Sequence, residues 1–354
     1  MYISIAIIMC LFSACKEQAP EKVFTINSSK AQDTLYNVVT KPYIDSLYIK
    51  KDTIIENNRY LLTYEAAMDT LKKVSYTRNT HQGDKVYNGY DIRYTITVKE
   101  HNGKKRFKKI FTKDDFKSVI CEDALALTNA CLPQFIGYHK GFDAFLFILN
   151  FWIPDSDVGD ECFLMLGKDG QVIEKFHDAY YGGGGHGGTI EFPNNAAFIL
   201  TRSKILNTNG KNIDLSEGRK TVVHTKLIND DTILVIDELT DNVNENNARL
   251  INNYGEVLKT FTYKGYYNML GYIVPSYTEK NTGTYILLDD ELKNLRLISR
   301  KEPTNIVTVP FKAPVLPAMN REHEVSFNID TEFTLRTFAM DTFKKTIRLI
   351  KEEQ

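Results

Sequence analysis

The sequence predicts a mainly β fold, with degenerate β-propeller-like repeats and a short helical insert. Three observations carry that expectation. From about Tyr36 onward, strand-like apolar runs alternate with turn signals almost without interruption. Turn signals of the hairpin type recur near Thr70, Gly103, Gly170, Gly210, Gly255, Lys293 and Thr342. Several of their intervals fall at about 40–50 residues, the size of a four-stranded propeller blade, and seven such units nearly fill the chain beyond residue 35. Tyr and Phe, 20 of each beside a single Trp, suit a strand-rich architecture.

The first element stands outside that fold. Tyr2 to Ala14 is an uncharged apolar run, too short for a membrane-spanning helix of about 20 residues and suited to the apolar core of a signal peptide. It closes on Leu11-Phe12-Ser13-Ala14-Cys15, which resembles the cleavage box of bacterial lipoproteins with Phe12 in place of the usual Leu. The resemblance implies that residues 1–14 are a lipoprotein signal peptide and that Cys15 is acylated, palmitate included. Acyl chains contribute about 0.8 kcal/mol per buried CH₂, and two or more hold a protein stably where one does not. Residues 15–35 are polar and aperiodic, with Ala19-Pro20 and Ser28-Ser29, and read as a tether.

Residues 36–354 are expected as one repeat-built β region. Its clearest hairpin is Val222 to Ile228, Asn229-Asp230-Asp231, then Thr232 to Ile236. The run Asp143 to Leu149, a polar loop at Pro154 to Asp160 and a hairpin from Cys162 to Phe176 form one unit. The same grammar returns at Asp231 to Leu239, Thr240 to Asn247 and Ala248 to Phe261. Between the early strands, Thr112 with an acid three residues on opens a helix to about Ile120, and Glu122 to Asn129 adds another turn or two. The alternative architecture is two packed β-sandwich or meander domains, split near residues 178–188.

Tyr94 to Lys99, Gly103-Lys104 and Phe107 to Phe116, with Phe111-Thr112-Lys113 running into Phe116, resemble a pattern in uncharacterised Bacteroidota lipoproteins that carry a domain of unknown function. The likeness covers about residues 85–175 and implies lineage and anchoring, with no activity attached. Asp-Ser/Thr before an aliphatic residue is similar to the O-glycosylation signal of Bacteroidota envelope proteins. It occurs at Asp33-Thr34-Leu35, Asp45-Ser46-Leu47, Asp52-Thr53-Ile54, Asp69-Thr70-Leu71 and Asp231-Thr232-Ile233. Asp before a β-branched Thr is also a good strand entry.

Candidate sites are sparse. The glycine run 182–188 puts Tyr180, Tyr181 and His186 on a backbone able to approach a ligand, and His177, Asp178 and His186 could meet as ligands or acid–base groups. No Lys-Ser/Thr follows the run, so a phosphate-cradling loop fails. Asp155, Asp157 and Asp160 are weak oxygen donors for Ca²⁺ without the EF-hand spacing. Tyr266 and Tyr267 lead an aromatic stretch of the kind that serves sugar or peptide ligands. Cys121 and Cys131 are the plausible disulfide pair, leaving Cys162 as a buried thiol.

Lys+Arg 44 against Asp+Glu 45 gives no basic excess, which argues against nucleic acid as a partner. The run Lys104 to Lys109 reads as a solvated hairpin. There is no Ser-hydrolase elbow and no zinc-protease motif, so no catalytic residue is assigned and no cofactor or metal is expected. The expected protein is a lipid-anchored binding or scaffold module of the cell envelope, on the periplasmic or surface face of the outer membrane. A glycan, a peptide or an outer-membrane protein would be its ligand. The alternatives are a hydrolase or lyase acting on glycans or peptides, and an accessory lipoprotein of an outer-membrane assembly.

Overall fold

The computed structural model describes residues 37–39, 48–55, 59–80, 83–153, 159–178, 190–216, 221–238, 246–268, 271–289, 293–312, 314, 321–331 and 334–353. Cys15 and the tether lie outside them. The described chain is mainly β, and its sheets follow one another along the sequence as a propeller-like succession.

Sheet I contains β1 (Asn37–Val39), β2 (Tyr48–Ile55), β3 (Tyr60–Thr80), β4 (Gly83–Glu100) and β5 (Lys105–Phe111), in the order β1-β4-β3-β2 with β5 also on β4. β3 and β4 are 21 and 18 residues long. They place into one sheet the length of two expected units, so the described residues form six sheets and a small hairpin rather than seven equal blades. The signal near Thr70 is no turn. It marks a bulge in β3, where pairing jumps from Asp69↔Asp91 to Lys73↔Tyr90.

The helical insert is present but shorter than expected. Thr112 N–H donates to Asp115 Oδ2 (2.7 Å), and the segment it opens is a single 3-10 turn, Lys113–Phe116. α1 (Glu122–Leu127) follows. Lys113 is fully buried, and its Nζ donates to the carbonyls of Ala126 (3.0 Å) and Thr128 (3.1 Å) at the end of α1. Burial pushes its ammonium down to about 7.

Five antiparallel meanders follow. Sheet II is β6 (Gln134–His139), β7 (Ala144–Trp152), β8 (Gly159–Gly167) and β9 (Val172–His177); sheet III is β10 (Phe198–Leu200), β11 (Lys204–Asn207) and β12 (Ile213–Asp214). A lone bridge, Glu191↔Leu200, stands where the first strand of sheet III would be. Sheet IV is β13 (Val222–Leu227), β14 (Thr232–Asp237), β15 (Ala248–Asn252) and β16 (Val257–Phe261). The hairpin β17 (Tyr266–Asn268) and β18 (Gly271–Ile273) leads to sheet V: β19 (Ser276–Glu279), β20 (Thr284–Asp289), β21 (Asn294–Ser299) and β22 (Val307–Pro310). Sheet VI is β23 (Glu324–Thr331), β24 (Thr334–Asp341) and β25 (Ile347–Glu353).

The continuous apolar runs are explained by burial on both faces. In β7, Phe145, Phe147 and Leu149 pack with sheet I, while Leu146 and Ile148 pack with Ile199 and Leu206 of sheet III. In β14, Ile233 and Val235 join sheet III, and Leu234 and Ile236 join Leu287 and Ile298 of sheet V. Ile286 and Leu288 then pack with Phe327 and Phe338 of sheet VI. Each fully buried side chain of this size contributes about 1.5–3 kcal/mol. One buried cluster is shared by sheets II and III, whose residues lie on either side of residues 178–188. Among the described residues no hydrophobic cluster joins sheet VI to sheet I.

Three of the tight turns repeat one chemistry. In Asn102-Gly103-Lys104, Asp169-Gly170-Gln171 and Asn209-Gly210-Lys211, the third N–H donates to the first side chain at 2.9, 3.3 and 2.9 Å. The central glycines take φ of +83°, +85° and +80°, the left-handed residue of a type I turn with a bulge.

Candidate functional site

An antiparallel meander puts the 1→2 and 3→4 turns at one end of a sheet and the 2→3 loop and the exit to the next sheet at the other. Bonds between sheets align these ends along the stack. At the turn end, Asn194 N donates to Asp230 Oδ1 (3.1 Å), and Asn229 Nδ2 to the Arg300 carbonyl (3.0 Å). At the connection end, Ser203 Oγ donates to Asp178 (2.8 Å), Arg249 Nη2 to the Leu215 carbonyl (2.8 Å), and Tyr263 Oη to the Leu288 carbonyl (2.8 Å).

The connection end holds the polar constellation. Asp160, at the start of β8, accepts from the Cys121 thiol through Oδ2 (2.9 Å) and contacts His177 Nε2 through Oδ1 (3.0 Å). Cys121 is the residue before α1, and His177 ends β9 opposite Cys162. Burial pushes the Asp160 carboxyl up, yet the bonds from Cys121 and His177 outweigh it and hold it below the usual carboxylate range. Trp152, the single tryptophan, lies opposite Gly159 at the start of β8, and a Cβ on Gly159 would stand 2.7 Å from its ring, so the strand entering Asp160 favours glycine at that position.

Two neighbouring carboxyls go the other way. Burial raises Asp178, outweighing the bonds from Ser203 and the Arg202 N–H. Burial also raises Glu161, and the charge of Asp178 adds to it. Three acids at one end of sheets II and III thus divide into one held ionised and two held toward the neutral form.

Farther along this end, the last residue of the second strand is an acid in sheets IV, V and VI. Asp237 pairs with Arg249 and Asp289 with Arg296. Arg249 lies opposite Val235 and Arg296 opposite Leu287, so each acid sits two residues past the arginine's partner. The same diagonal in sheet VI carries Asp341 and Arg348, where Arg348 turns instead to Glu324 (2.8 Å). The arginines open the triplicate Arg-Leu-Ile at 249–251, 296–298 and 348–350, a repeat signal in the sequence that turn spacing alone passes over.

The sequence-predicted residues fare unequally. Tyr180, Tyr181, His186, Asp155 and Asp157 lie outside the described residues. The described flanks of both loops, Gly159 and Asp178 among them, belong to the connection end. Tyr266 and Tyr267 stand in β17 opposite Ile273 and Tyr272, on the exit from sheet IV, and their side-chain surroundings lie outside the described residues. Asp160 is taken up by Cys121 and His177, and no group of three or more His, Cys, Asp or Glu among the described residues could hold a metal ion.

The Cys121–Cys131 disulfide is not formed. The Cys121 thiol is drawn to Asp160, and Cys131 and Cys162 are free thiols. Burial raises Cys131 and pushes Cys162 up to about 12. Of the Asp-Ser/Thr triplets, Thr232 is buried at the start of β14, whereas Thr70 is exposed in the β3 bulge. Among the described residues no helix is long and apolar enough to cross a membrane.

No protein-family model matches this sequence, and no curated protein does. Among solved structures, the chain is similar to "Dihydro-heme d1 dehydrogenase NirN in complex with DHE" at 10% identity and TM-score 0.33, over 85% of this chain and 65% of that one. It is similar to Kluyvelomyces marxianus Hsv2 at 9% identity and TM-score 0.33, over 86% and 97%. The Dos1 propeller matches at 11% identity and TM-score 0.33, over 79% and 73%. Likeness at that level carries no argument about ligand or activity. The propeller-like reading rests on the succession of meanders and their shared cores.

Proposed function

We propose that this chain is a lipid-anchored protein of the cell envelope, held at the outer membrane through Cys15, and that it acts as a binding or scaffold module through its connection end. One observation carries the binding half of the reading. The Asp160 carboxylate stands between the Cys121 thiol and the His177 imidazole, with one oxygen on each. A nucleophilic cysteine needs a base on its sulfur, itself oriented by a third group. Here the sulfur meets the orienting carboxylate instead, and the groups are fixed as recognition elements.

The test is titration of the purified chain with glycan and peptide panels, repeated with Asp160→Asn. A ligand whose affinity falls at least tenfold in that variant, with the fold kept, supports the reading. Steady turnover by the wild-type chain that vanishes in Glu161→Gln overturns it. Glu161 and Asp178, raised by burial beside an ionised Asp160, are the observation that favours a hydrolase as second reading, since carboxyls pushed apart in pKa are what acid–base chemistry uses. The anchor is tested separately by fractionating cells: Cys15→Ala is expected to leave the membrane fraction, and unchanged association rules out the lipid.

A further inference from the structure

The two faces of sheet I differ in kind. Tyr60, Leu62, Tyr64 and Ala66 point into the core, as do Ile92, Tyr94, Ile96 and Val98. The residues between them point outward, where no described residue forms a core with them. Cross-strand pairs set out this face in rows: Ile54, Leu61 and Lys99; Asp52, Thr63, Thr97 and Lys108; Lys50, Glu65, Thr95 and Ile110; Tyr48, Ala67 and Arg93.

Four large apolar side chains share it. Tyr48 is 60% exposed, Ile54 62%, Leu61 37% and Ile110 47%. A soluble sheet of this kind ordinarily carries polar residues outward. The charges are lopsided as well. Lys50 is paired with Asp52 (3.6 Å), and Glu65 hydrogen-bonds the Tyr48 side chain. The face also holds exposed Asp69 and adds Arg93, Lys99 and Lys108, and exposed Lys104 and Lys105 extend it along the β4–β5 hairpin, so cations outnumber acids.

We propose that this face rests on an anionic lipid surface. The inference deepens the proposed anchoring and relies on it for proximity. Residues 16–36 would run from an acylated Cys15 to β1 of this same sheet, and that length, at most about 70 Å, lets this face reach the bilayer. Cations draw the face to acidic headgroups, and the exposed Tyr48, Ile54, Leu61 and Ile110 enter the interface.

The experiment uses the Cys15→Ala chain, which no lipid can hold, and vesicles of phosphatidylcholine with or without one-third phosphatidylglycerol. Partition is expected to be at least tenfold stronger to the anionic vesicles and to weaken between low and moderate salt. Lys99→Glu with Lys108→Glu should abolish that preference, while Lys344→Glu with Lys345→Glu, at the far end of the chain, should keep it; melting curves confirm that both pairs fold. Equal partition to both vesicles, or a preference untouched by the first pair, overturns the proposal. Capture of soluble polyphosphate with vesicles ignored overturns it in favour of a soluble polyanion. Failure of the anchor in cells leaves the vesicle result standing, and failure on vesicles leaves the anchor standing.

Discussion

The two ends of the sheet stack solve different problems. At the turn end the chain reverses in a few residues, and short-range chemistry suffices: an Asx side chain, a left-handed glycine and one backbone bond. At the connection end the chain crosses between sheets, and buried acids are answered by side chains from other strands, as Asp237 is by Arg249 and Asp178 by Ser203. Turn-end interactions are exposed, so each contributes little. Connection-end interactions are buried, so each is costly to break.

The largest test of that contrast sets two arginines against each other. Arg249→Met leaves the Asp237 carboxylate, 3% exposed, without its cation; a loss of about 3 kcal/mol is expected from urea unfolding. Arg300→Met removes a pair with Asp230 at 4.0 Å, where the side chains are 55% and 39% exposed. There the loss should stay below about 0.5 kcal/mol. Equal losses would erase the distinction between the ends.

Within the turn end a second contrast is smaller. Gly170 and Gly210 have nearly the same positive φ, so alanine at either costs about 1 kcal/mol for the backbone alone. A Cβ at Gly210 meets nothing within 4 Å, while one at Gly170 would stand 2.8 Å from the Phe107 ring. Gly170→Ala is therefore expected to cost about 1–2 kcal/mol more than Gly210→Ala, since Phe107 is packed in the first core and must shift. Melting temperatures of the two variants give the comparison directly.

The same division decides what could be read from the sequence. Gly103, Gly170, Gly210 and Gly255 announce their turns because each turn is written within four residues. The hairpin at 222–236 was equally plain. Thr70 misled because a bulge uses the same residue types as a turn, and only the pairing of β3 with the distant β4 separates the two. The Cys121, Asp160 and His177 constellation is not legible in the sequence: its members come from the residue before α1, from β8 and from β9, and no spacing ties Cys121 to Asp160. Proximity in sequence groups Asp160 with Asp155 and Asp157, whereas the fold groups it across strands. The expected disulfide failed for the same reason, since nearness of Cys121 to Cys131 in sequence says nothing of the carboxylate that claims the thiol.

The smallest test uses acid, and it separates two carboxyls of the connection end by sign. Asp160 is held below its ordinary value, so it contributes stability that is complete above the unfolded pKa near 3.8 and lost as pH falls through its folded pKa. Asp178 is raised, so in the window just above 3.8 the folded chain holds a proton that the unfolded chain has released. Its contribution therefore weakens as pH rises through that window. Asp160→Asn should flatten the acid limb of the stability curve below about pH 4, and Asp178→Asn should remove a decline above it. Each change amounts to at most one proton of slope, about 1.4 kcal/mol per pH unit. Urea midpoints from pH 3 to 6 for the two variants and the wild type measure both. If the variants bend the curve in the same direction, the opposed electrostatics of Asp160 and Asp178 is wrong, and with it the division of the site into one ionised acid and two neutral-leaning ones.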